Sequence, residues 1–160
     1  MRWLRRGLGL VLLVLLVAGC SISHFPADPE GTLDRVSGGV LRVGVSEHPP
    51  WTEVADDGSV SGSEADIIEG YAASIGARID WISAAESQLI QQLEEGQVDV
   101  VIGGLSSDLP WQKHAAFTRP YAESIAPDGS TRKMVFATRL GENAFLGSLE
   151  RYLIDRGLQP

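Results

Sequence analysis

Apolar residues follow several distinct rhythms along this chain of 160 residues. A nearly continuous apolar run covers 8–17, broken only by Gly9. Short apolar or alternating runs at 40–45, 77–83 and 98–102 predict strands; the third, apolar at almost every position, suits a strand covered on both faces. Ile67, Ile68, Tyr71, Ala72 and Ile75 share one helical face, and Leu89, Ile90 and Leu93 share another within 86–95. Gly76 and Gly96 stop these two helices. Ser63 reads as the N-cap of the first, with Glu64 and Asp66 in its first turn, where carboxylates favour the helix dipole. The segment 47–51, with Pro49 and Pro50, cannot continue a sheet, and Asp56-Asp57-Gly58 marks a turn between short extended pieces. The resulting β-α-β-α-β order predicts an α/β fold with a parallel sheet flanked by helices. Beyond it, 105–119 reads as a loop with one helical turn near Trp111, 127–130 as a turn and 133–138 as a strand. A last helix at 142–156 carries Phe145, Leu146, Leu149, Tyr152 and Leu153 on one face.

The run at 8–17 is too short to span a bilayer, which needs roughly 20 apolar residues. Arg2, Arg5 and Arg6 precede it, and Val17-Ala18-Gly19-Cys20 follows it. That is the layout of a secretion signal, residues 1–19, with small residues before the cut. Cys20 is the chain's single cysteine, and its place resembles the lipobox of bacterial lipoproteins. The resemblance implies a lipid-bearing Cys20 and a protein anchored in the cell membrane or outer membrane, facing the periplasm or the exterior. Residues 20–39, with Pro26, Pro29, Gly31, Gly38 and Gly39 and no sustained apolar period, read as a lipidated tether. A single domain at 40–157 follows. No disulfide can form within the mature chain, so its fold rests on its core alone.

Charge removes one class of partner. Without the three leader arginines, ten Lys plus Arg face 21 Asp plus Glu, a net of −11 with His neutral. A surface this acidic is a poor match for nucleic acid. His24, His48 and His114 show no metal-binding spacing, and neither a nucleophile–base pair nor a phosphate loop is visible. The sequence therefore predicts neither enzyme activity nor a metal or other cofactor.

Several short pieces recur at a familiar spacing. They are Leu41-Arg42-Val43-Gly44-Val45, Pro49-Pro50-Trp51, Gly62-Ser63-Glu64-Ala65-Asp66, Leu93 with Gly96 and Asp99, Gly104-Leu105-Ser106, and Phe117-Thr118-Arg119-Pro120-Tyr121. In this order they resemble the family 3 extracellular solute-binding proteins, the binding components of polar amino-acid ABC importers and their relatives. The resemblance implies a lobe of the periplasmic binding protein-like type. It also implies a second lobe, reached by a crossing after Tyr121. About forty residues remain there, too few for one, so the second lobe is expected to be absent and 127–130 to be the bridge over its place.

Ligands of such folds sit at the carboxyl ends of the strands, which directs attention to three loops. In the first, His48 offers a solute a hydrogen bond or is a plain surface histidine. Trp51 offers a stacking face or plugs the edge of the core. In the second, Ser63 stands where amino-acid binders place an aromatic side chain. In the third, the resemblance implies an arginine gripping the solute carboxylate; here Trp111 stands instead, as a ligand platform or a core anchor. Lys113 supplies a nearby cation, and Ser106 and the amides after Gly104 supply donors. The expected function is a lipid-anchored solute-binding protein linked to transport of a small polar solute such as an amino acid, beside a membrane permease. The competing expectation is a module that docks on a transporter or sensor through exposed Trp51 and Trp111, with a homodimer through that face as its variant.

Overall fold

The computed structural model describes residues 26–159. The leader and Cys20 lie outside the described residues. Strands β1 (Val40–Val45), β4 (Arg78–Ser83) and β5 (Val100–Ile102) join β6 (Ala116–Phe117) and β9 (Ala137–Thr138) in a five-stranded sheet of order β4-β1-β5-β9-β6. β1 runs parallel to both β4 and β5, with Val43 opposite Trp81 on one side and Val100 on the other. β9 is antiparallel to β5 and to β6, so the sheet is mixed where the sequence pattern pointed to a parallel one. The parallel part is the β-α-β-α-β unit. The antiparallel strand comes from a chain that returns from the far side, a direction no local pattern encodes.

Helices cover both faces. Helices α1 (Thr32–Val36), α2 (Ser63–Ser74) and α4 (Asn143–Asp155) bury Val36, Ile68, Tyr71, Phe145 and Leu149 against Leu41, Val43, Val45, Val100 and Ile102. Helix α3 (Glu86–Glu94) buries Leu89, Ile90 and Leu93 against Val98 and Val101 on the opposite face. Val100 and Ile102 thus point one way and Val101 the other, as strand alternation requires. Each such side chain contributes about 1.5–3 kcal/mol by leaving water.

Three expectations about local structure change. First, residues 27–39 are part of the domain, so a tether cannot extend to residue 39. Val36 is wholly buried. Asp28 Oδ2 accepts the Leu33 amide at 2.8 Å, and Glu142 accepts the amides of Glu30 and Thr32, each at 3.1 Å. Glu142 lies more than a hundred residues away, so this attachment leaves no apolar period in the segment itself. Second, Ser63 is not the N-cap: Gly62 is, Ser63 is the first helical residue, and no side-chain capping bond is made. Third, the expected strand at 133–138 is two strands. β7 (Ala122–Ile125) and β8 (Thr131–Met134) form an antiparallel hairpin, and Val135-Phe136 carries the chain down into β9.

The turn at 127–130 closes this hairpin. Asp128 accepts the amide and hydroxyl of Ser130 at 2.9 and 2.6 Å. Among the described residues there is one α/β lobe, and the hairpin stands between β6 and β9 where the resemblance implied a crossing to a second. Two shorter strands, β2 (Glu53–Val54) and β3 (Val60–Ser61), pair ahead of α2, and a 3-10 turn covers Pro110–Lys113. No helix among the described residues is long and apolar enough to cross a membrane.

At the amino-terminal end of β5, Asp99 ties α1 to the sheet. It is 3% exposed and accepts Arg35 Nη1 and Nη2 at 3.2 and 2.5 Å, and the Arg42 amide, Nε and Nη2 at 3.0, 3.1 and 2.6 Å. Burial works against the charge, but the two guanidinium groups outweigh it and hold the carboxyl below its ordinary value of 3.8. The stability this group contributes is therefore complete above about pH 4 and is lost as pH falls through the depressed folded value. Asp99→Asn should cost about 2 kcal/mol at pH 7, read by urea denaturation, and the deficit should shrink in strong acid. An equal deficit at every pH would show that charge plays no part.

Candidate functional site

The carboxyl ends of β1 and β5 open onto loops that are locked from within. After β1, Thr52 is fully buried; its hydroxyl donates to the Ser46 carbonyl at 2.6 Å and accepts the His48 amide at 3.1 Å. The His48 amide also donates to the Thr52 carbonyl at 2.9 Å, and the Trp51 amide to the His48 carbonyl at 2.9 Å. The loop therefore presents His48 and Trp51 in a set geometry.

Glu64 ties this loop to the other two. Its amide donates to the Trp51 carbonyl at 3.0 Å. Its side chain is fully buried. One carboxylate oxygen accepts the Gly103 amide at 2.7 Å, both accept the Gly104 amide at 3.1 Å, and one accepts the Tyr121 hydroxyl. One side chain at the start of α2 thus joins the end of β5 to the chain leaving β6. Burial raises the carboxyl above its ordinary 4.5; the Tyr121 hydroxyl, the two glycine amides and the charge of His48 pull the other way without cancelling the rise. Burial and the Glu64 carboxylate push the Tyr121 hydroxyl far up, so it stays a donor. Tyr121 stacks on Phe136 at 4.4 Å between centroids and meets the Trp51 edge at 6.4 Å.

Two glycines make the close approach possible. Gly62 has φ +115°, and a Cβ there would strike the Trp51 carbonyl. Gly104 has φ +69°, and a Cβ there would lie 2.9 Å from the His48 ring and 3.1 Å from Trp51 Cδ1. Both angles are ones that L side chains rarely adopt.

The structure brings together His48, Trp51 and Gly104. His48 is exposed and Trp51 half-buried against the core. Ser63 is exposed one residue from the Trp51 contact. Ser106 is 4% exposed, bridged to Met134 through its backbone, with its hydroxyl engaged by Asp108. Trp111 belongs elsewhere: its indole Nε1 donates to Glu86 Oε1 at 2.6 Å, and the ring packs on the α3 face of the core. It is an anchor for the Pro110–Lys113 turn, and Lys113 points to solvent. Neither tryptophan is the exposed docking residue that the second sequence reading needed. Sequence reasoning missed the role of Glu64, which looked like an ordinary dipole-facing acid. Its place within the 62–66 motif was the one available hint. No group of three or more His, Cys, Asp or Glu among the described residues could hold a metal ion.

Because the folded pKa of Glu64 is raised, the stability it contributes is full below about pH 4.5 and is lost as pH rises through the folded value. Relative to Glu64→Gln, the native chain should lose stability as pH rises above about 4.5 in denaturant titrations; parallel curves would refute the shift. Tyr121→Phe removes one donor from a buried acceptor and should cost about 1–3 kcal/mol.

Known proteins are similar to this chain in sequence and fold. The model of the bacterial extracellular solute-binding proteins, family 3, matches residues 41–148. The L-cystine-binding protein TcyJ of Escherichia coli is 32% identical over 122 residues, covering 75% of this chain and 45% of that protein. Cyclohexadienyl dehydratase of Pseudomonas aeruginosa is 29% identical over 104 residues, covering 64% of this chain and 37% of the enzyme. The chain thus spans less than half the length of these two relatives. The arginine-bound form of domain 1 from TmArgBP superposes with a TM-score of 0.67 at 26% identity, covering 76% of this chain and 97% of that one. A single lobe of a binding protein accounts for nearly all of that match. This chain belongs to the bacterial extracellular solute-binding proteins, family 3.

Proposed function

We propose that the chain is an extracytoplasmic, lipid-anchored binding protein for a small polar solute such as an amino acid, working beside a membrane permease. The observation that carries this is the patch of His48, Trp51 and Gly104 at the carboxyl ends of β1 and β5, pinned from below by Glu64. Ligands of open α/β sheets bind at that end. Trp51 supplies a flat apolar face and His48 a hydrogen-bonding edge. Arginine-bound domain 1 of TmArgBP, a relative in fold and sequence, supports an amino acid as the solute.

Two features set the expected strength. Trp111, at the position of the family's carboxylate-gripping arginine, is committed to Glu86, so no guanidinium holds the solute there. One lobe also leaves a solute half exposed, whereas small-molecule sites bury most of their ligand. Weak binding completed by a second surface follows, supplied by the permease or by another copy of this chain. Attachment through Cys20 raises the effective concentration of that surface.

Thermal-shift and calorimetric titration of the full chain with L-arginine, L-cystine and other polar amino acids tests the binding role. At least one should stabilise the fold, by about 2.7 kcal/mol at a hundredfold excess over Kd, and Trp51→Ala should weaken that ligand about tenfold or more. No stabilisation by any of them at millimolar concentration removes the reading. The anchor has its own test: Cys20→Ser should move the protein from the membrane fraction to the soluble one and abolish labelling by a fatty-acid probe. Unchanged partitioning would leave Cys20 without that role.

A further inference from the structure

The other end of the sheet is built differently. Near the amino-terminal ends of β1 and β5 the domain holds a cavity of about 120 Å³, far above the roughly 10–15 Å³ that admits one water. Its wall carries three guanidinium groups, from Arg35, Arg42 and Arg139, beside Thr32 and the buried carboxylates of Asp99 and Glu142. In a chain with 13 cationic and 21 acidic side chains, three arginines around one hollow are a strong local departure.

The two buried acids are already satisfied. Asp99 accepts five N–H bonds from Arg35 and Arg42, and Glu142 accepts the amides of Glu30 and Thr32. The arginines are not. Arg42 commits Nε and Nη2 and leaves Nη1; Arg35 leaves Nε. The Arg139 guanidinium makes no hydrogen bond among the described residues. The carboxylate it pairs with, Glu30, stands 3.8 Å from its Nη1, beyond hydrogen-bonding reach. Yet the Arg139 side chain is only 32% exposed, and Gly96 leaves room for its head, since a Cβ there would come within 3.2 Å of Nη1. A guanidinium on a side chain about two-thirds covered, with none of its N–H groups hydrogen-bonded, can take an acceptor.

The lining holds three guanidinium groups and three carboxylates, those of Glu30, Asp99 and Glu142, so it gains a net positive charge only when Glu30 leaves. Glu30, whose side chain is 62% exposed, can turn out into water. We propose that this cavity binds a small oxyanion, a phosphate or a small carboxylate. Arg139 grips it with paired N–H donors, Arg42 and Arg35 supply further donors, and Glu30 competes from within the chain. The site is separate from the His48–Trp51 patch and does not depend on what that patch binds.

Arginine Nε–Hε resonances of the full chain, followed in a 15N-labelled sample at constant ionic strength, test this directly. Inorganic phosphate and malonate are the two probes, with sodium chloride as the reference. Saturation of the Arg139 and Arg42 signals by either probe is expected, the tighter one naming the class, and Arg139→Gln should abolish the response of Arg42. Glu30→Gln should tighten binding about twofold to fivefold, the size of an exposed ion pair; a merely structural arginine cluster would not respond in that direction. Linear drift equal to that in chloride for both probes, or a midpoint unchanged or weakened by Glu30→Gln, overturns the proposal.

Discussion

A buried carboxylate with no cation in direct contact is costly, and this lobe places one where three chain segments meet. Glu64 faces the Gly103 and Gly104 amides and the Tyr121 hydroxyl. Those groups are donors that would otherwise lose their water partners at the crowded end of β5. The acid satisfies them, and they make its burial tolerable. Everything around the His48–Trp51 patch depends on this exchange. Gly62 and Gly104 have no side chain because the backbone must come this close. Tyr121 is held against Phe136, and Trp51 is held by its carbonyl. Rigid support beneath a surface patch is what a binding site needs to keep its geometry.

The opposite end of the sheet is held by another buried acid in the reverse electrostatic setting. Asp99 is matched by two guanidinium groups and stays charged, whereas Glu64 relies on neutral donors and is pushed toward its protonated form. One lobe therefore carries two buried carboxylates with opposite pKa displacements. Arg35, Arg42 and Arg139 stand there against Glu30, Asp99 and Glu142, and only Glu30 of the three acids is well exposed.

The hairpin of β7 and β8 shapes what the lobe can do. It returns the chain within a few residues, so β9 enters the sheet antiparallel and the patch at the strand ends has no facing lobe among the described residues. Trp111 is drawn to Glu86, which takes the far part of the third loop out of the patch and leaves Trp51, His48 and Gly104 as its surface. This face offers a stacking surface and hydrogen-bonding groups, with no arginine at the Trp111 position.

Apolar periodicity and glycine stops are local signals, and they suffice to specify the parallel β-α-β-α-β unit. Leu41, Val43 and Val45 on β1, the faces of α2 and α3, and the family motifs from Leu41 to Tyr121 were all legible in that way. Strand ends locate loops, so His48, Trp51 and Gly104 stood out together with Ser63, Ser106, Trp111 and Lys113, without any sign of which of them would meet. The remainder rests on contacts between distant segments. The place of Glu64 depends on donors 39 and 57 residues away, and the folding of 27–39 onto the domain depends on Glu142, more than a hundred residues on. Trp111 became an anchor through its bond to Glu86, and the strand at 133–138 split because its two halves meet different partners. In each case the deciding partner is a polar group distant in sequence, and polar pairing leaves no period along the chain.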